Sequence, residues 1–485
     1  VYTSLLTPPT ASPVPDFSEP EAPLVDPDVD AAAGDAHPDR EFHLVLIDNG
    51  RLAMRDDEDL RETLYCIRCG ACANSCGNFR SVGGHVFGGE TYTGGIAGGW
   101  EAGIEGLDTA AEVHALCTGC SRCVPGCPVE IDIPWINTVV RDRINRGEAG
   151  EGEFDHLVDG LTPDEEPAGL GLGTRLVGNY ATLAKWGHRT APVANRLANA
   201  GPVRAIAERV AGIDRRRDLP EFASESLVEW FAARGGAAVA AADAEREAIV
   251  YPDTYTNYVD PDRGKATVRT LEALGVHVRV PDLPPSGRPP LSQGMVATAE
   301  ARAGDLYGAV AEHLDAGRDL VVVEPSDLAM VRSEYEKFLE PAAFERLSES
   351  AYDAMEYVHG LIDNDAGGGL DALVHGGRAG RDRAVAYHPH CQARTVGVAA
   401  HATEVLERAG FDVVESDTEC CGMAGSFGYK ADYYELSLDV GEPLVEQFGG
   451  TDRTVVATGT SCGEQLDALL DRPAKHPIEL IAPLP

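Results

Sequence analysis

The sequence predicts a multi-domain α+β chain, with a small helical module near the amino terminus and two α/β repeats in the carboxyl-terminal half. Three observations predict it. Two runs of four cysteines share one spacing, a β–α pattern occurs twice at a nearly constant offset, and 485 residues exceed what one hydrophobic core supports.

Cys66, Cys69, Cys72 and Cys76 form a C-x2-C-x2-C-x3-C run. Cys117, Cys120, Cys123 and Cys127, followed by Pro128, repeat it 51 positions later. Three thiolates at i, i+3 and i+6 of one tight loop can reach three corners of an Fe4S4 cube, and the fourth ligand must come from elsewhere. In two-cluster ferredoxins the last Cys of each run ligates the other run's cluster. The expected sets are therefore Cys66, Cys69, Cys72 and Cys127 for one [4Fe-4S] cluster, and Cys117, Cys120, Cys123 and Cys76 for the second. Zinc sites use ligand pairs separated by a longer loop, and an eight-cysteine disulfide knot belongs to a small secreted domain. This stretch reads as an α-helical two-cluster ferredoxin module.

Asp and Glu number 79 against 40 Lys and Arg, a net charge of -39, and only five of the basic residues are Lys. The acid is spread along the chain, so it is not an interaction tail. Self-repulsion on this scale destabilises a compact state unless counterions screen it, which points to the salt-rich cytoplasm of a halophile. Such a surface repels nucleic acid. No run of about 18 apolar residues is present, so the expectation is at most peripheral membrane association. Clustered cysteines without a secretory signal point to a reducing cytoplasm. The chain opens on Val1, as expected of a processed or excised piece of something longer.

Residues 1–58 read as the tail of a domain with a Pro/Asp-rich loop, and 42–50 as a buried strand ending in an Asn49-Gly50 turn. In the ferredoxin-like stretch 59–150, helices are expected at 59–65, 107–116 and 135–146. The glycine-rich segment from Val82 to Ile96 has too little side chain for a helix, and its N–H groups are placed to reach cluster sulfurs. His85 within it is expected to pack or hydrogen-bond. Residues 151–240 read as a helical connector, with helical spacing over 170–185 and 193–210. Its Arg215-Arg216-Arg217 run reads as a solvated or ion-paired surface.

From residue 241 the pattern is βα. Strands are expected at 248–251, 276–280 and 320–324 with helices at 264–274 and 302–314, and from 381 the order repeats with strands at 384–387, 411–414 and 454–457 and a helix at 396–409. An offset of 135 lays Thr270-Leu-Glu-Ala-Leu-Gly-Val-His-Val278 over Val405-Leu-Glu-Arg-Ala-Gly-Phe-Asp-Val413. Two α/β half-domains, 241–380 and 381–485, packed as a pseudo-dimer with mostly parallel sheets follow from this. Only the second carries cysteines: Cys391, Cys420, Cys421 and Cys462. At the same offset Cys420-Cys421-Gly422 falls on Pro285-Ser286-Gly287, and Cys462 on Asp327. The thiols are dispensable for the fold, which marks them as a metal site. Neighbouring Cys420 and Cys421 fit disulfide geometry poorly, and soft thiolates select Fe–S or zinc. An additional Fe–S cluster is favoured there over zinc or a thiol/disulfide pair. His388 and His390, beside Cys391, could supply a ligand or a proton, with hydrogen bonding to the ligands the expected duty.

These motifs resemble known families. Cys66 to Cys76, the following Val82-Gly-Gly-His85, and Cys117 to Pro128 resemble the iron–sulfur protein of the lactate-utilisation system. The opening Val1-Tyr-Thr-Ser-Leu-Leu-Thr and residues 43–50 resemble the end of its LUD domain. Residues 245–485 are similar to the cysteine-rich CCG-domain pair of heterodisulfide reductases and of glycolate oxidase and glycerol-3-phosphate dehydrogenase iron–sulfur subunits. Three departures stand out. Gly77 replaces a usual Pro and should loosen its turn, the first CCG copy lacks thiols, and Gly459 replaces the first Cys of the closing C-x-x-C. The resemblance implies an oxidoreductase component that carries electrons from a 2-hydroxyacid, lactate foremost, to a quinone or other carrier. Its implied partner is a LUD-domain or flavin-containing dehydrogenase subunit. The alternatives are heterodisulfide or thiol reduction at the CCG cysteines, and service as the iron–sulfur subunit of a glycolate or glycerol-3-phosphate dehydrogenase. No dinucleotide fingerprint is expected, since the Gly83–Gly99 segment lacks a following helix and a downstream acid.

Overall fold

The computed structural model describes residues 47–147, 166, 170–375 and 383–484. The chain divides into a unit of residues 1–49 and one of residues 50–485, and the elements below belong to the second. The LUD-like opening and residues 42–46 of the expected strand lie outside the described residues. At the end of that strand Ile47 is 75% exposed, so the reading of a buried strand fails there. Asn49 and Gly50 do turn the chain, with φ of 44° and 82°. The helix Arg51–Asp56 then begins at once, which the sequence did not announce.

The cysteine-rich amino-terminal part is a cage of short helices. A 3-10 turn at Arg61–Tyr65 and helices at Leu107–His114 and Ile133–Gly147 stand where spacing placed helices. The glycine-rich stretch 83–95 holds no helix, as expected, but the reading that no helix follows Gly83–Gly99 fails. A helix spans Ile96–Ile104 at its end, burying Ile96 and Trp100 against Ile133, Ile136 and Val140. Low helix propensity is overridden by close packing. A methyl group on Gly98 would overlap Asn137 Oδ1, one on Gly99 would overlap Ile136, and one on Gly95 would lie 2.7 Å from Ile133. Asn137 uses that closeness, its Nδ2 donating to Gly95 O at 2.7 Å and Ile133 O at 2.8 Å.

In the connector, the two expected long helices are four short ones: Leu172–Gly178, Tyr180–Arg189, Ala191–Ala198 and Gly201–Ala211. Pro192 and Pro202 sit in the first turns of the last two, where a missing N–H costs nothing but the preceding helix cannot continue. Residues 148–165 and 167–169 of this stretch lie outside the described residues.

The carboxyl-terminal half is mixed α/β. The first sheet contains β1 (Arg246–Val250), β2 (Val276–Arg279), β3 (Asp319–Val322) and β4 (Ala351–Asp353), in the order β2-β1-β3-β4. The second contains β5 (Ala384–His388), β6 (Asp412–Glu415) and β7 (Thr454–Ala457), in the order β6-β5-β7. All five strand pairings are parallel, as fits sheets whose inner strands are buried on both faces. A single buried cluster joins Val250, Val321 and Val323 of the first sheet to Val385, Tyr387 and Val456 of the second, so the halves share a core. The chain is thus α+β, a helical cage followed by two α/β repeats.

The repeat extends past the offset that revealed it. Asp319 and Thr454 begin equivalent strands 135 positions apart. Beyond them Tyr352 pairs with Val321, and Lys475 with Val456, only 123 apart. Each is followed by a capped helix, Ala354–Asp363 behind the Asp353/Glu356 box and Pro477–Ile481 behind the His476/Glu479 box. A shortened connection in the second copy hid this part of the duplication.

The Asp353 cap gives a pH prediction. Desolvation raises its carboxyl from 3.8 to about 7, and Oδ2 is buried without a partner while Oδ1 accepts the capping bonds. The folded state keeps this proton over a range where the unfolded carboxyl has lost it. Stability therefore falls as pH rises from about 4 to about 7, by about 4 kcal/mol for this group. Asp353→Asn keeps the cap and should flatten the pH dependence of the denaturation midpoint over that range.

Candidate functional site

The two cysteine loops are built alike. Arg68 (φ 58°) and Gly70 (φ 75°) make the first loop's left-handed turns, and Gly119 (φ 68°) and Ser121 (φ 60°) make them 51 positions later. The two loops therefore share one backbone path around their cysteines. Cys72 then rides on the helix Ala71–Asn74, and Cys76 is the N-cap of the helix Gly77–Val82.

The thiols neighbour one another across the runs. Cys72 feels the charges of Cys66, Cys69 and Cys127, and Cys76 those of Cys120 and Cys117. Cys123 has Cys120 and Cys117 as its nearest charges, with Cys72 and Cys76 beyond. None of the twelve cysteines is in a disulfide. Burial pushes the Cys76 thiol up to about 12 and the Cys117 thiol up to about 11. Thiolates in such surroundings need cationic partners, and bound iron supplies them. Eight such sulfurs, in two runs of four, fit two [4Fe-4S] clusters. Ile131 donates its N–H to Cys127 Sγ at 3.4 Å.

Within the glycine-rich segment Gly89 N–H donates to Tyr92 O, Gly94 N–H to Phe87 O, and Glu90 N–H to Glu101 Oε1 at 3.0 Å. His85 is exposed and not packed.

The second cysteine group forms where β5 and the Cys420-Cys421-Gly422 turn meet the helix Thr460–Leu470. Cys391 opens the helix Cys391–Thr395, capped by His390, whose Nδ1 accepts from Gln392 N–H at 3.2 Å. Cys421 and Cys462 are buried, and the ligand atoms of His388, Cys421 and Cys462 all lie within 4.8 Å of one another. Cys462 Sγ–H donates to Cys421, which with His388 alongside holds Cys421 well below the usual thiol range; Cys462 moves the opposite way. Cys420 and Cys391 complete the group, each feeling the charge of Cys421. Gly422 N–H lies 3.4 Å from Cys420 Sγ. Gly459 has a steric cause: a methyl group there would overlap the His390 ring.

This group and the second cysteine loop touch. Thr395 Oγ1 donates to Cys120 O at 3.3 Å, Gln392 Nε2 to Gly119 O at 3.4 Å, and Arg122 pairs with Glu419 at 2.8 Å. Gly77 belongs to the same contact. It starts a helix instead of loosening a turn, and a Cβ there would stand 3.1 Å from Cys420 Cβ.

The thiol-free repeat keeps the shell of the site. Gly287 has φ 88° and Gly422 has φ 89°. Ser286 Oγ donates to Asp327 Oδ1 where the second copy sets Cys421 against Cys462. Asp327 and Cys462 are each the third residue of their helices, Pro325–Arg332 and Thr460–Leu470. Glu324 joins the copies: its Oε1 accepts from Ser326 N–H at 3.2 Å and its Oε2 from Thr460 N–H at 2.8 Å, so one carboxylate caps both helices.

The arginine run divides. Arg215 pairs with Glu208, and Arg216 with the exposed Glu435 and the buried Asp214, the ion pairing that charge patterning implied. Arg217 is buried, donating to Gly428 O at 2.9 Å and Ser437 Oγ at 2.8 Å beneath the Gly422 turn. Its partners lie more than 200 positions away, so no local pattern could have marked it.

Two family models match the chain, a 4Fe-4S dicluster domain over residues 62–131 and a cysteine-rich domain (CCG) over 385–467. The chain is 24% identical over 296 residues to one of the subunits of the anaerobic glycerol-3-phosphate dehydrogenase of Escherichia coli K12, covering 60% of this chain and 72% of that protein. It is 30% identical over 204 residues to lactate utilization protein B of Geobacillus kaustophilus, 41% of this chain and 40% of that protein. It is 31% identical over 200 residues to an electron transport protein, YkgF, of E. coli K12, 41% of this chain and 39% of that protein. Among the described residues, no helix is long and apolar enough to cross a membrane.

Proposed function

We propose that this chain, which joins a 4Fe-4S dicluster domain to a CCG-type cysteine-rich domain, relays electrons from a dehydrogenase that oxidises a 2-hydroxyacid, lactate foremost, toward a quinone or other carrier. The names of its relatives, a lactate utilization protein, a glycerol-3-phosphate dehydrogenase subunit and an electron transport protein, support that reading. The observation that carries it is the contact between the Cys117–Cys127 loop and the Cys391 and Cys420 group, which makes the two metal-binding regions one continuous path. Cys66, Cys69, Cys72 and Cys127 would hold one cluster, and Cys117, Cys120, Cys123 and Cys76 the other. When bound, the clusters supply one-electron chemistry. The chain's own part is to bury the sulfurs, donate N–H groups to them, and hold both loops against the CCG turn, which together set potentials.

The test pairs anaerobically purified chain with a LUD-domain or flavin-containing dehydrogenase subunit. The chain should contain about eight irons in cubane form beyond any metal at the CCG group, and its Fe–S absorbance should bleach when lactate is added. Zinc without iron, or no bleaching with lactate, glycolate or glycerol 3-phosphate, overturns the proposal.

A second reading is reduction of a disulfide to two thiols at the CCG group, with the two electrons fed through the cubanes. The low-lying Cys421 thiol beside Cys462 favours it. In that case Cys421→Ser abolishes reduction of an added disulfide while the cubane EPR signals persist.

A further inference from the structure

We infer that His388 is a metal ligand: its Nε2 joins the sulfurs of Cys421 and Cys462 in holding one ion. The inference rests on the reading of the CCG cysteines as a metal centre, and concerns which atoms hold that metal. Three independent observations carry it. His388 ends β5 with no exposed surface, and its Nε2 is buried without a hydrogen-bond partner. A buried polar nitrogen left so is rare and calls for an explanation such as an ion. Its other nitrogen, Nδ1, lies 2.7 Å from Ser416 Oγ. With Nδ1–H donating to that hydroxyl oxygen the Nε2 lone pair is left for a metal, the arrangement by which ligating histidines are usually oriented. The ligand atoms of His388, Cys421 and Cys462 are all within 4.8 Å of each other, close enough to surround one ion with little movement.

The two histidines have different work. His390 caps the Cys391 helix, and His388 faces the thiols. A centre with imidazole among its thiolates takes iron or zinc and carries less negative charge than an all-thiolate one, which raises its potential as imidazole ligation does in Rieske clusters.

The test uses the full chain, purified anaerobically and labelled with 15N-histidine, alongside His388→Cys and His388→Ala. If the pocket metal is paramagnetic iron, pulsed EPR should show a directly bonded histidine nitrogen in the native chain. If it is zinc, zinc X-ray absorption should show an imidazole shell. In either case His388→Cys should keep the metal and lose the nitrogen signature, and His388→Ala should hold that metal at least about tenfold more weakly. The cubane iron should stay constant in all three. Absence of bonded nitrogen from a metal-loaded native pocket overturns the inference and leaves the metal-centre reading standing. A native pocket with neither iron nor zinc, beside intact cubanes, overturns both.

Discussion

Cys76→Ala is expected to abolish the cluster of the opposite loop. Cubane iron should fall from about eight to about four per chain. The surviving EPR signal should match that of Cys120→Ala and differ from that of Cys69→Ala. The reason is spatial: Cys76 follows the first loop in the chain, yet the thiols whose charge it feels are Cys120 and Cys117. Cys127→Ala should behave in mirror fashion, since Cys127 is among the neighbours of Cys72 together with Cys66 and Cys69. If Cys76→Ala instead gives the spectrum of Cys69→Ala, the ligands are not exchanged between loops and the proposed assignment is wrong.

Gly422→Ala is expected to destabilise the fold by about 3 kcal/mol, read from denaturant midpoints. Its φ of 89° costs a side-chain-bearing residue about 1–2 kcal/mol. The new methyl group also overlaps Ser437 O, and forcing extra volume into a packed site costs about 1–3 kcal/mol. Gly287→Ala is the matched comparison. Its φ is 88°, but its nearest neighbours stand 3.1 Å away, so it should lose only the backbone part. Equal losses in the two variants would mean that the Ser437 contact yields freely. Ser437 is held by Arg217 and its carbonyl accepts from Gln465 Nε2, which makes yielding costly.

What the sequence displayed, and what it concealed, follows from the range of the forces involved. Strands β1, β3, β5 and β7 were legible because buried parallel strands read as short apolar runs, and the more exposed β6 through the repeat that lays it over β2. The cysteine spacing was legible because ligands to one cube must sit in one tight loop. The helix Ile96–Ile104 was not, because local propensity opposes it and its support comes from Asn137 and Ile136, some 40 positions on. Arg217 was misplaced on the surface for the same reason. The His390 ring fills the space beside Gly459, nearly 70 residues away in the chain, and no spacing rule reports such a contact.

The Glu324 bridge explains why a copy without thiols persists. One half carries Ser286 and Asp327 where the other carries thiols. It could not be discarded, because its carboxylate fastens the first turn of the helix that presents Cys462. The barren half works as a jig for the fertile one.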